Sequence, residues 1–186
     1  DPVLLRYLPN TITFMRLLLA APLGLLILRQ QYDLALAVVF LAGLSDALDG
    51  WAARRLGYFS RFGAALDPVA DKVLITVFFL CSAQAGLIPW YLAAAVISRD
   101  VIIVSGAVCY RLLLGPFEFG ATALSKLNMV LQISFGVLLL TTQVLTAIGN
   151  DWVFWGGVVV IVIAVASGLD YMVTWAGKAR RQRRET

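Results

Sequence analysis

The chain has 186 residues, of which 61% are hydrophobic and 14% charged, with a mean hydropathy of +0.86 and a formal net charge of +4. A soluble domain carries about 25% charged residues, so this apolar excess needs a bilayer as well as a core. There is no histidine, which excludes Ser-His-Asp and Cys-His chemistry and removes the commonest zinc ligand.

Residues 1–10 read as a short N-terminal interfacial segment. Leu4, Leu5, Tyr7 and Leu8 with Arg6 suit a headgroup boundary, and Pro9-Asn10 punctuate the entry to the first span. The chain starts at Asp1 rather than Met, as expected for a trimmed N-terminus, and no secretory signal peptide is expected before the first hydrophobic stretch. Six apolar runs then follow, at about 11–28, 34–53, 64–86, 88–112, 122–147 and 153–176. Each is close to the roughly 20 residues that cross a bilayer as a helix, and in lipid a helix satisfies its own backbone. The expected fold is therefore an all-α integral membrane protein of six transmembrane helices. Residues 1–177 form one domain, and 178–186 form a basic tail.

Arg6, Arg54, Arg55, Arg61, Arg111 and the run Lys178-Ala-Arg180-Arg181-Gln-Arg183-Arg184 fall on one side of this topology, against Arg29 alone on the other. The positive-inside rule then puts both termini in the cytoplasm, or in the matrix of a mitochondrion. The basic tail suits an anionic membrane surface. Without interleaved aromatic residues it does not suggest nucleic-acid binding. Cys81 and Cys109 lie inside apolar runs and read as small buried side chains, not as a disulfide. Trp51, Trp90, Trp152, Trp155 and Trp175 read as interfacial anchors.

The chemistry is concentrated in Ser45-Asp46-Ala-Leu-Asp49-Gly50-Trp-Ala-Ala53-Arg54 and Gly63-Ala-Ala-Leu-Asp67-Pro-Val-Ala-Asp71-Lys72. At about 100° per residue, Asp46, Asp49, Gly50 and Ala53 share one helix face, and Gly63, Asp67 and Asp71 a stripe on the next. A short loop joins the two helices, so they are expected to pack antiparallel and to bring four carboxylates together near the cytoplasmic end. Unpaired, those charges would repel one another and resist desolvation. Arg54 and Lys72 can offset part of the charge, and divalent metals offset it better. Oxygen-only ligands favour Mg²⁺, Mn²⁺ or Ca²⁺, and two such ions about 4 Å apart suit an in-line phosphoryl displacement. Gly50, Ala53, Gly63 and Ala64 leave space beside the backbone. An ion-translocation site is the other use of intramembrane aspartates. Asp170, in the sixth span, is expected to pair with a neighbouring helix.

These residues fill every fixed position of D-x2-D-G-x2-A-R-x8-G-x3-D-x3-D, and the chain resembles the CDP-alcohol phosphatidyltransferase family. The resemblance implies a six-helix membrane fold, a homodimer, CDP-linked donors and release of CMP. It implies that Asp46, Asp49, Asp67 and Asp71 hold two Mg²⁺ or Mn²⁺ ions and that Asp71 is also the general base. Gly50, Ala53 and Gly63 would line the cytidine and diphosphate site, with Arg54 in its charged surroundings. Leu8-Pro9-Asn10-Thr11-Ile-Thr13-Phe-Met-Arg16 resembles the first-helix entry of glycerophospholipid-synthesising members, which puts Asn10 and Thr13 with the donor-binding residues.

Within the family, Ile97-Ser98-Arg99-Asp100-Val101 and Leu124-Ser125-Lys126-Leu127-Asn128 resemble the CMP-forming cardiolipin synthases of eukaryotic type more than the phosphatidylglycerophosphate synthases. Ala42-Gly43-Leu44-Ser45-Asp46 and Ala85-Gly86-Leu87-Ile88-Pro89 do the same. The resemblance implies CDP-diacylglycerol as donor, phosphatidylglycerol as acceptor, and a bacterial cytoplasmic or mitochondrial inner membrane. Glycerol 3-phosphate is the alternative acceptor. It is nearly a dianion at pH 7, whereas a phosphodiester carries one charge, and Asn128 in place of a second lysine suits the diester. Arg99, Arg111 and Lys126 are the expected partners of the acceptor phosphate, together with Asn128. Pairing with an intramembrane acid is the other use of Arg99, although Asp100, as its immediate neighbour, is expected to face elsewhere.

Overall fold

The computed structural model describes residues 2–56, 61–114, 122–145 and 151–185, with side chains described at 14–45, 69–109, 112, 122–145 and 151–177. Among these residues the chain forms six helices: α1 (Pro2–Leu28), α2 (Tyr32–Leu56), α3 (Arg61–Gln84), α4 (Trp90–Leu114), α5 (Ala123–Val144) and α6 (Asp151–Glu185). Each of the six expected spans falls on one of them. Trp90–Cys109, Ala123–Val144 and Asp151–Gly177 are long and apolar enough to cross a membrane, and Phe14–Leu28 and Tyr32–Ser45 are shorter apolar helical stretches. The protein has an all-α membrane fold.

Two helices run beyond the bounds that composition marks. Helix α1 runs unbroken through Pro9-Asn10, where punctuation was expected. Pro9 is two turns into α1, so the helix gives up the bond to the carbonyl four residues earlier and continues, as membrane helices tolerate. Helix α6 continues to Glu185, well past the end of its apolar run. Hydropathy marks where lipid contact ends, whereas Lys, Arg and Gln go on favouring a helix.

The turns have local causes. Helix α1 ends with Gln30 at φ 60° and α3 with Gly86 at φ 77°. Gln31 N–H bonds Leu26 O at 2.9 Å and Gln30 N–H bonds Ile27 O at 3.0 Å. Leu87 N–H to Ser82 O at 2.9 Å and Gly86 N–H to Ala83 O at 3.1 Å repeat the pattern. Both ends are Schellman motifs, in which a left-handed residue satisfies the last carbonyls. Thr122 caps α5, its Oγ1 accepting from Ser125 N–H at 3.2 Å. Along the helices, Ser45, Ser98, Ser105 and Thr141 hydroxyls donate to the carbonyl four residues earlier, which keeps them satisfied away from water.

Packing divides the chain into two compact units, Asp1–Ile88 with Gly136–Gly149 and Pro89–Phe135 with Asn150–Thr186. In the first, α1 packs on both α2 and α3. Its buried face is Arg16, Ala20, Leu23 and Ile27, at helical spacing. Gly24 permits close approach there, since a β-carbon would sit 2.9 Å from Val77 Cγ1 and 3.0 Å from Cys81 Sγ. Small residues at such contacts replace the hydrophobic drive that lipid removes. In the second unit α4 packs on α6, with Leu92, Ala93 and Val96 buried on one and Val160 and Ala164 on the other. Trp155, Val159, Val162, Val165, Leu169 and Val173 are exposed along α6, the reverse of a water-facing helix. Cys109 is exposed rather than buried, and Cys81 half-buried, both as free thiols. Of the tryptophans, Trp90 and Trp155 are exposed, as anchors would be. Trp152 instead stacks edge-on against Phe135 at 5.6 Å, and Trp175 lies against Tyr171 at 5.6 Å. The side chain of Trp51 lies outside the described residues.

Candidate active site

The aspartate motif spans two continuous helices. Asp46, Asp49, Gly50, Ala53 and Arg54 lie on α2, and Gly63, Asp67 and Asp71 lie on α3. The backbone therefore keeps the register the sequence implies, with positions 46, 49, 50 and 53 on one face and 63, 67 and 71 on one stripe. Beyond the backbone, residues 46–68 lie outside the described set, as does the approach of α2 to α3 expected around them. The side chains of Asn10, Thr13 and Arg111 lie outside it too.

Asp71 is the one member of the motif whose surroundings are described. Its Oδ1 accepts from Arg16 Nη1 at 2.7 Å, with the two side chains 23% and 1% exposed. Arg16 reaches it because α1 packs on α3 and Arg16 lies one turn before Ala20 on the buried face. A buried guanidinium needs such a partner, and the charge-assisted bond fixes one carboxylate oxygen in place. In sequence Arg16 closes the first-helix motif, and nothing there names its partner. An arginine inside an apolar run was the available signal.

Metal chemistry fits what is described. The four aspartates offer oxygens only, three apart along α2 and four apart along α3, the ligand class of hard divalent cations. Among the described residues no three Asp, Glu or Cys side chains come together. Three of the four aspartates stand outside that set.

A second polar cluster lies in the other unit. Arg99, 7% exposed, donates from Nη1 to Asp100 Oδ1 at 2.6 Å, and from Nη2 to Ser125 Oγ at 2.9 Å and Ser167 Oγ at 2.6 Å. It thus ties α4 to α5 and α6. The pairing with Asp100 corrects the expectation that these neighbours diverge. Arginine is long enough to fold back, and with both residues buried the electrostatic gain outweighs the awkward path. The arginine stem passes Gly168 of α6, where a β-carbon would meet Arg99 Cγ at an ordinary contact distance of 3.7 Å.

Among the other expected acceptor residues, Lys126 is exposed. Asn128 is 1% exposed and one turn beyond Ser125 on α5. The sequence reading overlooked Gln132, 3% exposed and one further turn along. Its spacing from Asn128 was legible, but an uncharged side chain barely alters hydropathy. Asp170 is half-buried and makes no ion pair with another described residue, so the expected pairing is not among the described contacts.

Comparison with known proteins bears on the same segments. The sequence model of the family described as CDP-alcohol phosphatidyltransferase matches residues 6–171. The chain is 45% identical over 112 residues to the CMP-forming cardiolipin synthase of Rattus norvegicus, covering 59% of this chain and 37% of that one. It is 35% identical over 186 aligned residues to a Schizosaccharomyces pombe fusion protein of CMP-forming cardiolipin synthase and mitochondrial hydrolase, covering 90% of this chain and 31% of that one. It is 38% identical over 104 residues to a chloroplastic CDP-diacylglycerol–glycerol-3-phosphate 3-phosphatidyltransferase of Oryza sativa, covering 56% and 32%. The chain thus spans about a third of the length of each of these relatives. The match runs across all six helices and takes in the whole aspartate motif, and on that ground the chain belongs to the CDP-alcohol phosphatidyltransferase family.

Proposed function

We propose that this protein transfers a phosphatidyl group from CDP-diacylglycerol to phosphatidylglycerol, giving cardiolipin and CMP. The observation that carries the acceptor is the similarity to CMP-forming cardiolipin synthases, at 45% identity over 112 residues and 35% over 90% of the chain. Residues 1–177 act as one catalytic domain, a homodimer in the membrane, with both termini and the active site on the cytoplasmic or matrix face.

In this reading Asp46, Asp49, Asp67 and Asp71 hold two Mg²⁺ or Mn²⁺ ions. Bound there, the ions balance the charge that builds on the diphosphate. Gly50, Ala53 and Gly63 give the donor room against the backbone, and Asn10, Thr13 and Arg54 bind its polar end. A hydroxyl of the acceptor's glycerol attacks the phosphorus attached to diacylglycerol. Its proton passes to Asp71 as the new O–P bond forms, and the O–P bond to CMP breaks. Arg16 supports this role, since its 2.7 Å bond holds one oxygen of Asp71 in place. Arg99, Arg111, Lys126 and Asn128 receive the acceptor head group.

A second reading keeps the mechanism and takes glycerol 3-phosphate as acceptor. The likeness to the rice enzyme favours it, at 38% identity. The family reaction is tested by CMP release from CDP-diacylglycerol in mixed micelles, which should require Mg²⁺ or Mn²⁺ and stop on adding EDTA. Release that persists in EDTA contradicts the metal assignment, and an aspartate-dependent ion flux with no CMP release indicates a transporter.

A further inference from the structure

Helix α6 outlasts its apolar part. Asp151–Gly177 is long and apolar enough to cross a membrane, and the helix then runs without a break to Glu185. At about 1.5 Å per residue the apolar part is about 40 Å long, close to the depth of a bilayer with its headgroups. The last turns therefore begin at headgroup level. Their base is fixed to α4. The Trp175 ring lies over Gly106, where a β-carbon would sit 3.6 Å from its Cζ3, and against Tyr171 at 5.6 Å. A tryptophan there suits the membrane boundary, and Lys178 follows it by less than one turn.

These turns read Lys178-Ala-Arg180-Arg181-Gln-Arg183-Arg184, with no acid before Glu185. Ala, Gln, Lys and Arg all favour a helix, and positive charge suits its C-terminal end. The register works the other way. Positions 178 and 181, 180 and 183, 180 and 184, and 181 and 184 are three or four apart, where like charges destabilise a helix. Glu185 brings one opposite charge, four residues after Arg181. A helix charged in this way is stabilised by anions from outside its own sequence. Being helical, the run also stacks its basic residues within about 9 Å of rise, at the depth of lipid phosphates.

We propose that residues 178–184, as the helical continuation of α6, form a docking surface for anionic phospholipids and gather their phosphodiester headgroups around the end of the helix. Charge complementarity selects the partner. Basic residues beside a bilayer attract anionic lipid over about a Debye length. A zwitterionic lipid carries the same phosphate with its charge cancelled, so it is held less. The proposal stands apart from the acceptor reading, and its test needs no turnover.

The full chain is placed in vesicles of phosphatidylglycerol and phosphatidylcholine, in equal amounts and with the same acyl chains. Small discs of membrane are cut out around the protein with a styrene–maleic acid polymer, and their lipid is compared with the bulk. The wild type is expected to enrich phosphatidylglycerol about twofold or more, and less so in about 1 M salt. Lys178→Gln, Arg180→Gln, Arg181→Gln, Arg183→Gln and Arg184→Gln combined keep the helix propensity and should remove most of the enrichment. Arg29→Gln, in the α1–α2 turn, should leave it unchanged. Three glycines inserted after Gly177 keep every charge but interrupt the helix, and should give an enrichment between the wild type and the glutamine variant. Equal amounts of the two lipids around the wild type, or an unchanged enrichment in the glutamine variant, overturn the proposal and leave the basic run to a soluble anionic partner. Full enrichment with the glycine insertion overturns the part assigned to the helix.

Discussion

Arg16 Nη1 donates to Asp71 Oδ1 at 2.7 Å, joining residues 55 positions apart in sequence. The arginine is 1% exposed and the aspartate 23%, so the pair is screened far less than a surface ion pair. Arg16→Gln should lower the rate of CMP release at least tenfold. Arg16→Lys should keep part of it, because lysine supplies the charge without the planar fork. Rates are to be compared at equal folded fraction, by monodispersity in detergent. Equal activity of Arg16→Gln and wild type would show that the pair has no part in transfer.

Asp71→Asn should abolish transfer while the helical content stays intact. The amide keeps the shape and still accepts from Arg16, but it takes up no proton. Circular dichroism and CMP release together check this, and near-normal turnover would remove Asp71 as the base.

Gly24 sits in the contact of α1 with α3. Gly24→Ala puts a methyl 2.9 Å from Val77 Cγ1 and 3.0 Å from Cys81 Sγ. Overpacking of this kind costs about 1–3 kcal/mol, visible as a lower melting temperature in detergent. Cys81→Ala in the same chain should recover part of the loss, since it removes one of the two crowding atoms.

Gln30 holds φ 60° at the end of α1, a conformation that costs an L-residue about 1–2 kcal/mol. Gly86 does the same work at the end of α3 without that cost. Gln30→Gly should therefore raise stability by about 1 kcal/mol, less a small gain in unfolded-state entropy. Thermal unfolding of the two proteins side by side checks the sign.

The positions of the aspartates were legible because they depend on helix period alone. Asp46 and Asp49, or Asp67 and Asp71, need no tertiary information to share a face. Arg16 and Asp71 were not legible as a pair. Their meeting depends on how α1 is rotated and shifted along α3, and hydropathy carries no such register. Arg99 shows the opposite error, since a sound rule about adjacent residues yielded to a long side chain buried beside one acid. Composition does not mark the helix bounds. Pro9 and the basic run after Lys178 mark changes in composition, and the helices continue through both. Gln132 was passed over because polarity without charge leaves little trace in an apolar run.

One competition between acceptors tests phosphatidylglycerol directly. The purified protein is incubated in mixed micelles with CDP-diacylglycerol, Mg²⁺, and equal amounts of phosphatidylglycerol and glycerol 3-phosphate, and the lipids are read by mass spectrometry. Cardiolipin, formed in step with CMP and absent with EDTA, is the predicted product. Phosphatidylglycerophosphate in its place would keep the family and the aspartate chemistry but contradict phosphatidylglycerol as the acceptor.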